Sequence, residues 1–141
     1  MTNPLLANSP LPLFDQIQPE HVSPAMDALL AQTEAALAEV TQDAFPASWP
    51  EIARVLDVAT EKLSSAWGAV SHLNSVADTP ELRAAYNADL PRLTEFWTRL
   101  GADERLYAKY KAIDVNSLNT EQRQEVRPRL IWPSSPFGAL V

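Results

Sequence analysis

An all-α fold follows from three observations. Apolar residues recur at three- and four-residue steps over several long stretches. Helix-start signals stand at the head of most of them. Only three glycines occur in 141 residues, while the strong helix formers alanine and leucine are abundant. The stretch 49–76 is far longer than strands usually grow. The expected arrangement is a set of antiparallel helical hairpins or a bundle, about four to five helices, with an extended N-terminal arm and an irregular C-terminal tail.

Residues 1–18 hold Pro4, Pro10 and Pro12, which forbid a continuous helix. Leu11, Leu13, Phe14 and Ile17 read as apolar beads on an arm strapped across the helices. Pro19-Glu20-His21 reads as the opening of a short turn. At Ser23 the pattern changes: Ser23 suits an N-cap and Pro24 the first helical position. Met26, Leu29, Leu30, Thr33, Leu37 and Val40 then form one stripe, predicting a helix over 24–43 that stops before Phe45-Pro46.

Ser48-Trp49-Pro50-Glu51 has the spacing of a capping box. Ile52, Leu56, Ala59, Leu63, Ala66, Val70 and Leu73 follow as a heptad-like seam, so the second helix covers 49–76. Thr79 and Pro80 mark the next start. Leu82, Tyr86, Leu90, Leu93, Phe96 or Trp97, and Leu100 carry a third helix over 80–100, with Pro91 inside it and Gly101 as its C-terminal cap. A fourth runs over 103–113 on Leu106, Tyr107, Tyr110 and Ile113. Asn119-Thr120-Glu121 opens a fifth that Pro128 interrupts.

From Pro128 to Val141 the style changes. Three prolines, no acidic residue and no helical period leave nothing to bury, so Trp132 and Phe137 are expected to be exposed. The chain thus divides into a helical domain, 1–127, and an irregular tail, 128–141, that reads as a non-native continuation produced by truncation or frameshift.

Composition sets the outer limits. With 46% hydrophobic and 21% charged residues the chain has the make-up of one soluble globular domain. A formal net charge of −7 without any basic stripe argues against a nucleic-acid partner. The absence of cysteine removes disulfides and thiolate metal sites and fits a reducing compartment. The first residues lack the basic region and apolar run of a signal peptide, so none is expected, and no run approaches the ~18 apolar residues of a membrane span. A cytoplasmic protein without membrane contact is expected.

The corner between the second and third helices is the most distinctive stretch. Trp67-Gly68 is followed by Val70-Ser71-His72-Leu73-Asn74-Ser75-Val76, then by Thr79-Pro80-Glu81-Leu82-Arg83 and Ala85-Tyr86-Asn87. This wording resembles the N-terminal helical region of the thimet-oligopeptidase family of zinc metallopeptidases, with the likeness covering about residues 10–126. The resemblance implies an all-α, non-catalytic portion that forms one wall of a deep channel admitting short peptides. It also implies a zinc cofactor held elsewhere, in the family's catalytic domain.

The residues bear out no catalytic role of their own. A zinc peptidase needs three ligands, an open position and a carboxylate base, which the family supplies as His-Glu-x-x-His on one helix. Here the two histidines, His21 and His72, lie far apart and neither is followed by the needed glutamate. No catalytic, cofactor or metal residue is therefore expected in this chain. His72 and Asn74 are the candidate site residues. One role is fixing the helix corner through a bond from the imidazole to a backbone carbonyl; the other is lining the substrate channel. Ser71, His72 and Asp78 contain the types of a hydrolytic triad but lack any sign of its geometry. The aromatics fall mostly on apolar stripes and read as core.

Two functions follow. The first is a channel-wall fragment of a zinc metalloendopeptidase for short peptides, inactive by itself. The second is a free-standing helical interaction module that associates with itself or a partner through exposed apolar surface.

Overall fold

The computed structural model describes residues 3–7 and 13–127. The fold is all-α, with no strand among the described residues. Six α-helices are named in order: α1 Pro19–Val40, α2 Trp49–Ile52, α3 Val58–Val76, α4 Pro80–Gly101, α5 Glu104–Lys111 and α6 Thr120–Val126. A π-helical turn, Ala53–Asp57, joins α2 to α3, so the chain is helical from Trp49 to Val76 as the seam predicts. Short 3₁₀ turns occur at Pro4–Leu6, Phe14–Gln16 and Val115–Ser117. The expectations for the tail from Pro128, including Trp132 and Phe137, and for Leu11 lie outside the described residues.

The chain forms two compact units. The first comprises residues up to Thr33 together with Ala59–Thr94. Its interior is built from one stripe per helix. Val22, Ala25, Met26 and Leu29 come from α1, Leu63, Ala66, Ala69 and Val70 from α3, and Leu82 and Leu93 from α4. Leu5 and Ile17 of the arm are buried as well, which gives the strap its hold. The α1 and α4 segments of this unit are also joined by polar groups. Ser23 Oγ donates to Asp89 Oδ2 at 2.7 Å, and Arg92 Nη1 donates to Asp89 Oδ1 at 2.6 Å. The second Arg92 nitrogen reaches Asp27. Because Ser23 pairs with Asp89 and Asp27 with Arg92, the two segments ascend together and run parallel.

The second unit comprises Glu34–Val58 and the residues from Glu95 onward. Trp49, Ile52, Leu56, Phe96, Leu106, Tyr110, Ile113, Leu118 and Val126 are buried in it. The Trp49 and Tyr110 rings lie 6.4 Å apart. Lys109 Nζ donates to the carbonyls of Gln42, at 2.8 Å, and Phe45, at 2.7 Å. Those carbonyls follow the C-terminus of α1, where a cation is favourably placed.

Local start signals decide most boundaries. Thr79 Oγ1 accepts from Leu82 N–H at 3.1 Å, as expected of the N-cap of α4. Asp103 does the same for α5, accepting from Leu106 N–H at 3.0 Å. Asn119 and Gln122 form a full reciprocal capping box at α6, with bonds of 2.8 and 3.1 Å.

Four expectations are corrected. The first helix begins at Pro19, not Pro24, and ends at Val40, not residue 43. Ser23 is therefore no N-cap; it lies inside α1 and its hydroxyl goes to the buried Asp89. Ser48 stands at the N-cap of α2 but makes no side-chain cap bond. Its own N–H is already taken by the Pro46 carbonyl at 2.9 Å, and Glu51 turns to Arg54 at 2.9 Å instead. Gly101 closes α4 as its last helical residue rather than standing outside it, and the next N–H groups, of Ala102 and Asp103, finish the turn. The fourth helix is shorter than 103–113, ending at Lys111.

Candidate functional site

The corner between α3 and α4 is built from its ends inward. Ala77 N–H bonds to the Leu73 carbonyl at 2.8 Å, closing α3, and two residues later Thr79 caps α4. Arg83 ties back across the corner to Asp78, with its Nε 3.2 Å from Asp78 Oδ2. That hydrogen bond, ahead of the charge attraction itself, raises the pKa of the Arg83 guanidinium. Further from the corner, Trp67 and Tyr86 stack nearly parallel, with ring centroids 4.9 Å apart and planes 10° from each other. Offset or stacked pairs of this kind add about 0.5–1.5 kcal/mol beyond area burial.

His72 and Asn74 are not brought together. Two positions on a helix are separated by roughly 200°, so the pair faces opposite ways. His72 is exposed, and its ring meets Phe14 of the arm at 5.1 Å with a 50° tilt. The expected bond to a backbone carbonyl is absent among the described residues. The imidazole supports the arm rather than the corner. Asn74 is half-buried, and its Oδ1 is enclosed without a hydrogen-bond partner among the described residues. Ser71, His72 and Asp78 form no triad: Asp78 is held by Arg83, and His72 lies against Phe14.

Two residues make contacts here that the sequence did not reveal. Asp89 is 1% exposed and centres the Ser23–Arg92 network. Its signal is legible in retrospect: Leu82, Tyr86, Asp89, Leu93 and Phe96 make one helical stripe with a carboxylate inside it. The neighbouring Arg92 has its pKa raised, with the hydrogen bond to Asp27 as the foremost cause. His21 is the other. Its Nδ1 accepts from Gln18 N–H at 2.9 Å, the return half of a capping box made by an imidazole.

The family resemblance implies zinc. Among the described residues no three His, Cys, Asp or Glu side chains group so as to hold a metal ion. The described residues do not fit a zinc centre, and no step through zinc is assigned to them. Among them also, no helix is long and apolar enough to cross a membrane.

Residues 26–133 match the model of the neurolysin/thimet oligopeptidase N-terminal domain. The match passes beyond Val126, where the likeness was expected to end. The chain is 42% identical over 130 residues to oligopeptidase A of Salmonella typhimurium, covering 89% of this chain and 19% of that protein. It is 41% identical over 134 residues to the probable cytosolic oligopeptidase A of Arabidopsis thaliana, covering 92% and 18%. With oligopeptidase A of Escherichia coli the identity is 38% over 130 residues. The chain thus spans less than a fifth of the length of these relatives.

Proposed function

Because this chain belongs to the neurolysin/thimet oligopeptidase family, as a stretch of its N-terminal domain, we propose that it supplies a helical, non-catalytic wall of the channel in a zinc metalloendopeptidase acting on short peptides. The observation that carries the reading is the conjunction of two facts. The family match covers the helical region almost throughout, while no metal-holding group stands among the described residues. Peptides are bound and cleaved by the whole protein, with zinc in the part these residues do not include. The Trp67–Tyr86 stack and the capped corner give this wall a stiff, pre-shaped edge, which costs little ordering when a peptide is held. A cytoplasmic location is supported by the relative named as probable cytosolic oligopeptidase A and by the cysteine-free sequence.

The test is a transplant. The aligned region of Salmonella oligopeptidase A is replaced by this chain, and cleavage of a quenched fluorogenic peptide is followed with and without chelator. The expected result is chelator-sensitive cleavage by the chimera and none by the 141-residue chain. A chimera that folds and binds zinc yet leaves the peptide intact would overturn the reading, as would chelator-sensitive cleavage by the chain itself.

A further inference from the structure

The α1 and α4 segments of the first unit each carry an interior proline, Pro24 in α1 and Pro91 in α4. Each proline removes one rung of its helix, because it has no N–H to give to the carbonyl four residues back. Those carbonyls belong to Glu20 and Asn87. Both prolines and both of these residues are exposed, so the two gaps open on the solvent side. In α4 the next carbonyl is engaged as well: Thr94 Oγ1 donates to the Leu90 carbonyl at 3.0 Å, a back-bond of the kind that bends helices.

The polar groups that join the two helices bracket both gaps. On α1 they are Ser23 and Asp27, one on either side of Pro24. On α4 they are Asp89 and Arg92, one on either side of Pro91. Ser23 Oγ donates to Asp89 at 2.7 Å, Arg92 donates to Asp27, and Arg92 Nη1 donates to Asp89 at 2.6 Å. The stretch before each proline is thus tied to the neighbouring helix at one point and the stretch after it at another.

We propose that Ser23, Asp27, Asp89 and Arg92 form a splint across two proline hinges, and that severing it lets α1 flex at Pro24 and α4 at Pro91. Elsewhere in a helix the backbone ladder supplies the stiffness, and sharp bends concentrate where a proline interrupts it. Here side chains supply what the ladder lacks. Most of the hold comes from Asp89, which is 1% exposed, because bonds to a charged group shielded from water are strong and costly to leave unmade. The Arg92–Asp27 arm is exposed and contributes less. Ser23, once released, becomes the N-cap of a helix restarting at Pro24, which gives the flexed form of α1 a hydrogen bond of its own.

Amide exchange on the full 141-residue chain, read residue by residue by NMR, tests the splint. In Asp89→Ala, protection at Arg92, Leu93 and Thr94 of α4 and at Ala25 and Met26 of α1 should fall about tenfold or more, beyond any fall at Ala66 and Val70 of α3, which report on the fold as a whole. Adding Pro91→Ala to Asp89→Ala should restore the α4 amides and leave those of α1 low; adding Pro24→Ala should do the converse. Ser23→Ala, which cuts one link and spares the carboxylate, should give the same pattern at smaller amplitude and serves where Asp89→Ala does not fold. An equal fall at α3, no fall beside the prolines, or a fall that survives replacement of the proline would each overturn the proposal, since packing alone would then hold the two helices.

Discussion

Both units cap their helices, but the unit holding α3 with the leading halves of α1 and α4 encloses a carboxylate between helices, whereas the unit holding α2, α5 and α6 keeps its interhelical pair, Glu34 with Arg99, exposed. In the first, Asp89 is enclosed and receives Ser23 and Arg92, which fixes the relative register of two helices. In the second, Asp103, Asn119 and Gln122 each serve a local terminus, and Lys109 serves the carbonyls after α1. Helix length explains the difference. A long helix has few unsatisfied end groups per residue and buries a broad stripe. The seven residues of α6 and eight of α5 are too short to be stable by propensity, and end groups without an intrahelical partner make up half or more of their backbone. Caps therefore matter most where helices are short.

The comparison can be broken at four points. The largest effect is expected from Phe96→Ala, which removes the largest fully buried side chain and leaves a cavity in the second unit. The cost is about 3–5 kcal/mol, measured as the shift in urea unfolding; a loss under about 1 kcal/mol would show that the site collapses onto itself. Next comes Asp89→Ala, which strands Ser23 and half of Arg92's bonding. A loss of about 2–3 kcal/mol is expected, and in a double-mutant cycle Ser23→Ala should add little once Asp89 is gone. Full additivity would show that the network does not act as a unit.

Asn119→Ala should cost about 1 kcal/mol, with the loss of amide protection confined to α6 and its neighbours. Protection lost equally at α3 would contradict the local role assigned to caps. The smallest change is a gain. A Cβ added at Gly68, inside α3, would meet nothing within 4 Å. Gly68→Ala should raise stability by about 0.5 kcal/mol through the unfolded chain. A loss instead would mean that the open space around Gly68 is filled in solution.

Much of this was readable from the residues, for identifiable reasons. The helical seam at 49–76 and the start of α4 at Thr79-Pro80 were legible because periodicity and capping are local properties. The family resemblance was legible in the corner segment, whose combination of Trp67, His72, Asn74, Thr79 and Pro80 is specific. The start of α1 was not. Ser23-Pro24 carries the stronger local signal, yet Val22 and Ile17 are buried and Ser23 has a distant partner in Asp89, so tertiary contacts moved the start to Pro19. At the candidate site, the sequence placed His72 and Asn74 side by side, while helical geometry turned them apart and gave His72 to Phe14.

The sequence by itself determined the helical class, the long helices and the family, because three- and four-residue spacing, capping chemistry and motif wording are all written in neighbouring residues. Only the tertiary structure decided where polar side chains find their partners. Ser23 abandons a cap for a carboxylate 66 positions away, and the Ser48 N–H goes to the Pro46 carbonyl in place of Glu51. Asn3 finds the His21 carbonyl from 18 positions away. A hydrogen bond depends on atoms within about 3 Å, and for side chains separated by tens of residues that distance exists only once the helices have packed.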